Sequence, residues 1–138
     1  MKFFLILINL LCLNLYTAKA QYLKPTEDQI AEVDELNDRI YISIEGNKVS
    51  NTEQIFDCIS KSLHFENTAD KSLESLKEQL SNSKYTSKET HITIHHGNSI
   101  YQRLGQAKWQ KLLNVLNSAE EENVNSMGLK NIFIMYWD

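Results

Sequence analysis

"NIFIMYW", Asn131 to Trp137, decides how the rest of the chain is read. After Asn131 every residue is apolar or aromatic, so alternation cannot divide the run into a wet and a dry face. A run this short and this apolar is the pattern of a strand buried in a parallel sheet. Two earlier stretches fit beside it. "THITIHH", Thr90 to His96, alternates with a period of two and is closed by Gly97-Asn98. "IYISIEGNKV", Ile40 to Val49, is β-branched and aromatic and turns at Gly46-Asn47.

Helical periodicity fills the spaces between these strands. "SNTEQIFDCISKSLHF" begins with Ser50 and carries Glu53 three residues on, a capping-box spacing, and Ile55, Cys58, Ile59 and Leu63 then recur on one face. After the loop "ENTA" a second helix is expected to start near Asp70, with Leu73, Leu76 and Leu80 turned inward. "SNSKYTSKE" is polar and loop-like, and "SIYQRLG" is compatible with a short helical turn. From Gln106 to about Asn123, Trp109, Leu112, Leu113, Leu116 and Ala119 form the apolar stripe of a long helix. Strands separated by helices pack as parallel neighbours joined by crossovers. The expectation is an α/β domain: a small parallel sheet of about three strands packed with helices.

The N-terminal part reads differently. "MKFFLILINLLCLNLYTAKA" combines one Lys, an apolar run from Phe3 to Leu15 and small residues three apart, the marks of a cleaved secretory signal. The run is too short to span a bilayer comfortably. Residues 1–20 are therefore expected to be removed and the product to be secreted or periplasmic, with no membrane anchor afterwards. Residues 21–38, "QYLKPTEDQIAEVDELND", are acidic with weakly spaced Ile30, Val33 and Leu36, and are expected to form a short helix or ordered arm extending from a domain at 39–138. Removing residues 1–20 takes away Lys2 and Lys19 and no acid, leaving 12 basic against 18 acidic residues, a formal charge of −6. Such a chain repels phosphates, which argues against direct nucleic-acid binding and for a basic protein partner. Of the two cysteines only Cys58 would remain, so no internal disulfide staples the fold. A single domain of roughly this size can be held by burial alone, and a monomer is expected.

His91 and His95 share a strand face but lie about 13 Å apart at ~3.3 Å rise per residue, and His96 falls on the opposite face, so no metal site is expected. Cys58 sits on an apolar helix stripe away from His64, as a small hydrophobe rather than a nucleophile. Trp109 and Trp137 fall at core spacing. No phosphate-binding Gly-rich loop, serine elbow or zinc-protease motif occurs, so neither an enzyme nor a cofactor is expected. What remains is an acidic column, Glu66, Asp70, Glu74 and Glu78, each four residues after the last. Like charges at that spacing oppose a helix, although Lys71 and Lys77, three residues either side of Glu74, soften the repulsion.

With this order of elements the chain resembles the barstar family of small ribonuclease inhibitors, over about residues 39–138. "YISIEGNKVSNTEQIFDCISKSLHF" looks like the family's first strand and helix. "NTADKSLESLKEQLSN" is similar to its Tyr-Tyr-Gly-x-Asn-Leu-Asp-Ala-Leu-x-Asp-x-Leu segment, and "WQKLLNVLNSAEEE" with "NIFIMYW" to its later helix and closing strand. The resemblance implies that the segment after the first helix is an inhibitory surface placing carboxylates in the active site of a basic ribonuclease. By position its two helical Asp fall on Glu74 and Glu78, and its inward leucines on Leu73, Leu76 and Leu80. The family's Tyr-Tyr-Gly reads Thr68, Ala69 and Asp70 here, its Asn is Ser72 and its Trp is Lys77. The resemblance thus implies a basic nuclease or toxin as partner, met through Glu74 and Glu78, and the acidic column adds Glu66 and Asp70 as partner-binding candidates. The alternative is an adaptor on the same scaffold, binding a non-nuclease exported protein through the altered loop.

Overall fold

The structure is a computed structural model and describes residues 30–138. The expected signal segment, residues 1–20, and residues 21–29 of the expected N-terminal extension lie outside the described residues. Nine elements follow one another: β1 (Ala31–Leu36), β2 (Arg39–Glu45), a 3-10 turn (Gly46–Lys48), α1 (Thr52–Leu63), α2 (Leu73–Ser81), β3 (Glu89–His95), α3 (Gly97–Leu104), α4 (Gln106–Glu122) and β4 (Ile132–Trp137). They form a four-stranded sheet in the order β1-β2-β3-β4. The three expected strands are all present and mutually parallel, with Ile42 beside Ile92 and Ile92 beside Ile134. Their two crossovers carry α1 with α2 and α3 with α4.

The fourth strand corrects the reading of residues 21–38, of which those from 31 were expected to be helical or arm-like. Residues 31–36 are instead strand β1, antiparallel to β2 in full register from Ala31↔Ile44 to Leu36↔Arg39. The hairpin turns on two residues, Asn37 and Asp38, both at positive φ (51° and 63°). Asn and Asp tolerate that conformation, and a two-residue loop of this hand matches the twist of the strands it joins. The Glu35–Lys88 ion pair at 3.0 Å fastens the end of the hairpin to the segment before β3.

Strand pleating gives the sheet one dry face. Ile42, Ile44, Ile92, Ile94 and Ile132 are fully or almost fully buried and meet Ile55, Phe56, Ile59, Leu76, Leu80, Ile100, Leu112 and Leu116 from the four helices. The opposite face carries Tyr41, His91 and Phe133 as a ladder of near-parallel rings with centroids 5.0 and 5.1 Å apart. β4 is therefore an edge strand open on one face, not a strand buried on both. Phe133, Met135 and Trp137 point away from the core, and Trp137, expected inside, is 59% exposed. Trp109 does pack against the core, edge-on to Tyr136.

Local rules fix the helix ends. The cap of α1 is Asn51, not Ser50: Asn51 Oδ1 accepts from the Gln54 amide at 3.0 Å, while Gln54 Oε1 accepts from the Ser50 amide at 2.6 Å. The same reciprocal logic operates one residue later than expected. Gly46 is required by close approach, because a Cβ there would lie 2.4 Å from the His95 carbonyl oxygen. The ambiguous stretch near Ile100 is helix α3, and Arg103 near its end donates to the Val49 carbonyl at 2.8 Å.

Candidate protein-binding surface

The surface singled out by the acidic column begins where α1 ends. His64 adopts a left-handed conformation (φ 55°), which lets the amides of His64 and Phe65 turn back onto the Ser60 carbonyl. Such a left-handed residue is a common way to stop a helix. Phe65 then drops into the core, with its ring against Phe56 and Tyr85. That anchor throws residues 66–70 out over the surface, and all five are exposed. The loop returns at Lys71, which pairs with Asp57 of α1 at 2.9 Å.

Helix α2 starts at Leu73 rather than near Asp70. Ser72 caps it, its hydroxyl accepting from the Ser75 amide at 3.1 Å, and Asp70 Oδ1 accepts from the Ser72 amide at 2.9 Å. Asp and Ser compete for the backbone in this way, so they favour the cap over the helix interior. Of the expected column only Glu74 and Glu78 share a helix face; Glu66 and Asp70 belong to the loop. Leu73, Leu76 and Leu80 seal the other side of α2 into the core, at 8%, 0% and 0% exposure.

The carboxylates are exposed, and part of their charge is answered from within the chain. Glu74 pairs with Lys111 of α4 at 2.7 Å and Glu66 with Lys84 at 2.7 Å. Alongside, Lys77 of α2 pairs with Glu122 of α4 at 2.9 Å, an ion pair of reversed polarity across the same helix-helix seam. The hydrogen bond from Lys111, with a second from Glu74's own backbone amide, holds the Glu74 carboxyl below the usual carboxylate value. Glu122 is lowered likewise, chiefly by Lys77. Glu78 faces solvent. Exposed pairs of this kind contribute little to stability and are readily exchanged for another cation. The arrangement is a set of accessible carboxylates on a fixed helix and its preceding loop, suited to meeting positive charge.

The other candidates fall apart in space. His91 stacks between Tyr41 and Phe133 and shares Glu89 with Arg39, at 2.6 and 3.1 Å. His96 does not continue β3; it sits past the strand end at φ 52° with Nδ1 2.7 Å from Glu45. Among the described residues no three His, Cys, Asp or Glu side chains converge on a metal-sized site. Cys58 is half-buried on α1, and that burial pushes its thiol up, away from the reactive thiolate. Lys84, Lys111 and Gln79, whose amide reaches the loop, had no part in the sequence reading. Ion pairs between elements distant in sequence carry no signal in spacing, whereas a Gln within a leucine stripe was a visible anomaly.

A family model described as Barstar (barnase inhibitor) matches residues 40–132. The match runs from β2 to the first residue of β4 and includes the whole loop and α2, while β1 lies outside it. No curated protein matches the chain.

Proposed function

The chain belongs to the barstar family, described by its barnase inhibitor, and on that premise we propose that it is an exported inhibitor of a basic ribonuclease or nuclease toxin, of the immunity type. The protein-binding role follows from the family; the particular target and the export are our reading. The reading rests on one observation: the two carboxylates that fall on the family's helical Asp positions, Glu74 and Glu78, both project from α2 into solvent. Glu66 and Asp70 extend the same negative field onto the loop. A ribonuclease cleft is built from cations that hold RNA phosphates, so a rigid array of carboxylates competes for the same groups and is steered to them at long range. Export is supported by the pattern of residues 1–20.

The test is inhibition of a panel of small basic ribonucleases, barnase included. Wild type is expected to suppress RNA cleavage. Glu74→Gln with Glu78→Gln is expected to weaken inhibition by at least about tenfold, since each lost charge-assisted contact is worth about 1.5–3 kcal/mol. Unchanged inhibition in the double variant removes the site assignment. A second reading is favoured by the substitution of Thr68-Ala69-Asp70 for the family's Tyr-Tyr-Gly. That change removes aromatic anchors of the kind that concentrate binding energy, and points to an adaptor for a non-nuclease exported protein. It predicts capture of such a partner through the loop, with no effect on any ribonuclease.

A further inference from the structure

Gln79 is out of place on the inner side of α2. Its neighbours there are the sealed leucines, and it is itself only 8% exposed. Its amide nitrogen donates to the Asn67 carbonyl at 2.8 Å and to Ser75 Oγ at 3.1 Å. Its Oε1 is buried and accepts from no group among the described residues. A leucine at this position would fill the same space with no polar atom to desolvate, whereas a buried acceptor without a donor is a cost to the fold. The core gains nothing from an amide here. What the amide reaches lies outside the core, in the middle of the exposed loop.

The other ties on that loop are weaker or local. The Glu66 amide meets the Tyr85 hydroxyl at 3.4 Å, near the limit of a hydrogen bond, and the Glu66–Lys84 pair joins two exposed side chains. The Asp70 side chain bonds only two residues along, to Ser72. Residues 66–70 contain neither Gly nor Pro. Among the described residues, two hydrogen bonds reach the loop backbone between Phe65 and Lys71 from outside it, and the one from Gln79 to Asn67, at 2.8 Å, is the shorter and comes from the buried residue.

We propose that Gln79 is a positioning residue for partner binding: its amide clamps residues 66–70 against α2, so that Glu66 and Asp70 stand in a fixed place beside Glu74 before any partner arrives. This deepens the inhibitor reading and rests on it. A loop ordered in advance spares the complex the entropy of ordering it on contact, and that gain appears chiefly as slower dissociation.

Gln79→Met tests this, because it keeps the length of the side chain and removes the amide; Gln79→Leu serves as a second apolar variant. Both are expected to keep or raise the thermal midpoint, since the unpartnered acceptor is gone. Backbone 15N order parameters at residues 67–70 are expected to fall from about 0.85 to below about 0.6, with Leu76 and Leu80 unchanged. Barnase, used as the probe, is expected to bind about tenfold more weakly through faster release. Unchanged order in the loop overturns the clamp, and so does a uniform loss of order and stability through α2. A mobile loop with undiminished barnase binding also overturns it. If wild type binds no ribonuclease of the panel, barnase included, the inhibitor reading fails on its own, and the clamp stands or falls on the order parameters.

Discussion

The two faces of α2 lie half a helical turn apart and are governed by different physics. On the inner face Leu73, Leu76 and Leu80 are sealed against α1, α4 and the sheet, and each removes a large apolar surface from water. On the outer face Glu74 and Glu78 stand in solvent, with Glu74 held to Lys111 by an exposed ion pair. The inner face is a packing problem with one solution. The outer face is an electrostatic surface whose members can be exchanged with little penalty to the fold. Stability and the proposed recognition surface thus occupy different faces of one nine-residue helix, and changes on the two sides should have opposite signatures.

The largest effect is expected from breaking the inner face. Leu76→Ala leaves a cavity at a fully buried position and should cost about 2–5 kcal/mol in urea unfolding. A ribonuclease present in excess would still be bound by the folded fraction. If Leu76→Ala cost no more than an exposed substitution, or if Glu74→Gln with Glu78→Gln unfolded the chain, the separation of the two faces would be wrong.

An intermediate effect is expected where the inner face closes. Asn123, buried after the end of α4, donates to the Leu80 carbonyl at 2.6 Å and to Thr86 Oγ1 at 2.8 Å. It thereby satisfies one of the carbonyls that α2 leaves unpaired at its C-terminal turn and ties α2 to the segment leading into β3. Asn123→Ala strands both groups and should cost about 1–3 kcal/mol. A neutral result would mean that the segment after α4 relaxes enough for water to take over both bonds.

How far this division could be read in advance depended on the range of the interactions. The leucine stripe of α2 and the alternating Ile residues of β2 and β3 express themselves within a few residues, so periodicity found them. β1 escaped because Ala31, Val33 and Glu35 face one side and mostly acids face the other, leaving little apolar contrast; the useful clue was Asn37-Asp38, a pair suited to a two-residue hairpin. The run 131–137 misled in the other direction: its apolarity is real, but one face of the sheet is open, and no local pattern tells a buried strand from an apolar edge. Glu74 and Glu78 were placed on α2 correctly. The cations that answer Glu66 and Glu74 were invisible, because Lys84 and Lys111 arrive from other parts of the chain only once the fold has brought them round.

Those cations provide the finest test of the outer face. If the ridge exists to meet a basic partner, Lys111 is a competitor resident on Glu74, and a partner's cation must displace it. Lys111→Gln should leave the unfolding midpoint near wild type, since exposed pairs add little. It should also tighten barnase binding about threefold through faster association, an effect that shrinks as salt rises. The acid limb of the stability curve provides an independent check. Glu74 has a folded carboxyl value below its unfolded one, so its contribution is complete above the unfolded value, about 4.3, and is lost as the pH falls through the lower folded value. Lys111→Gln removes the main cause of that lowering, so wild type and variant should converge toward strong acid and differ most above about pH 5. Weaker barnase binding by the variant would have a definite meaning: Lys111 contacts the partner itself, and the recognition surface is a mixed-charge seam between α2 and α4 rather than an acidic ridge.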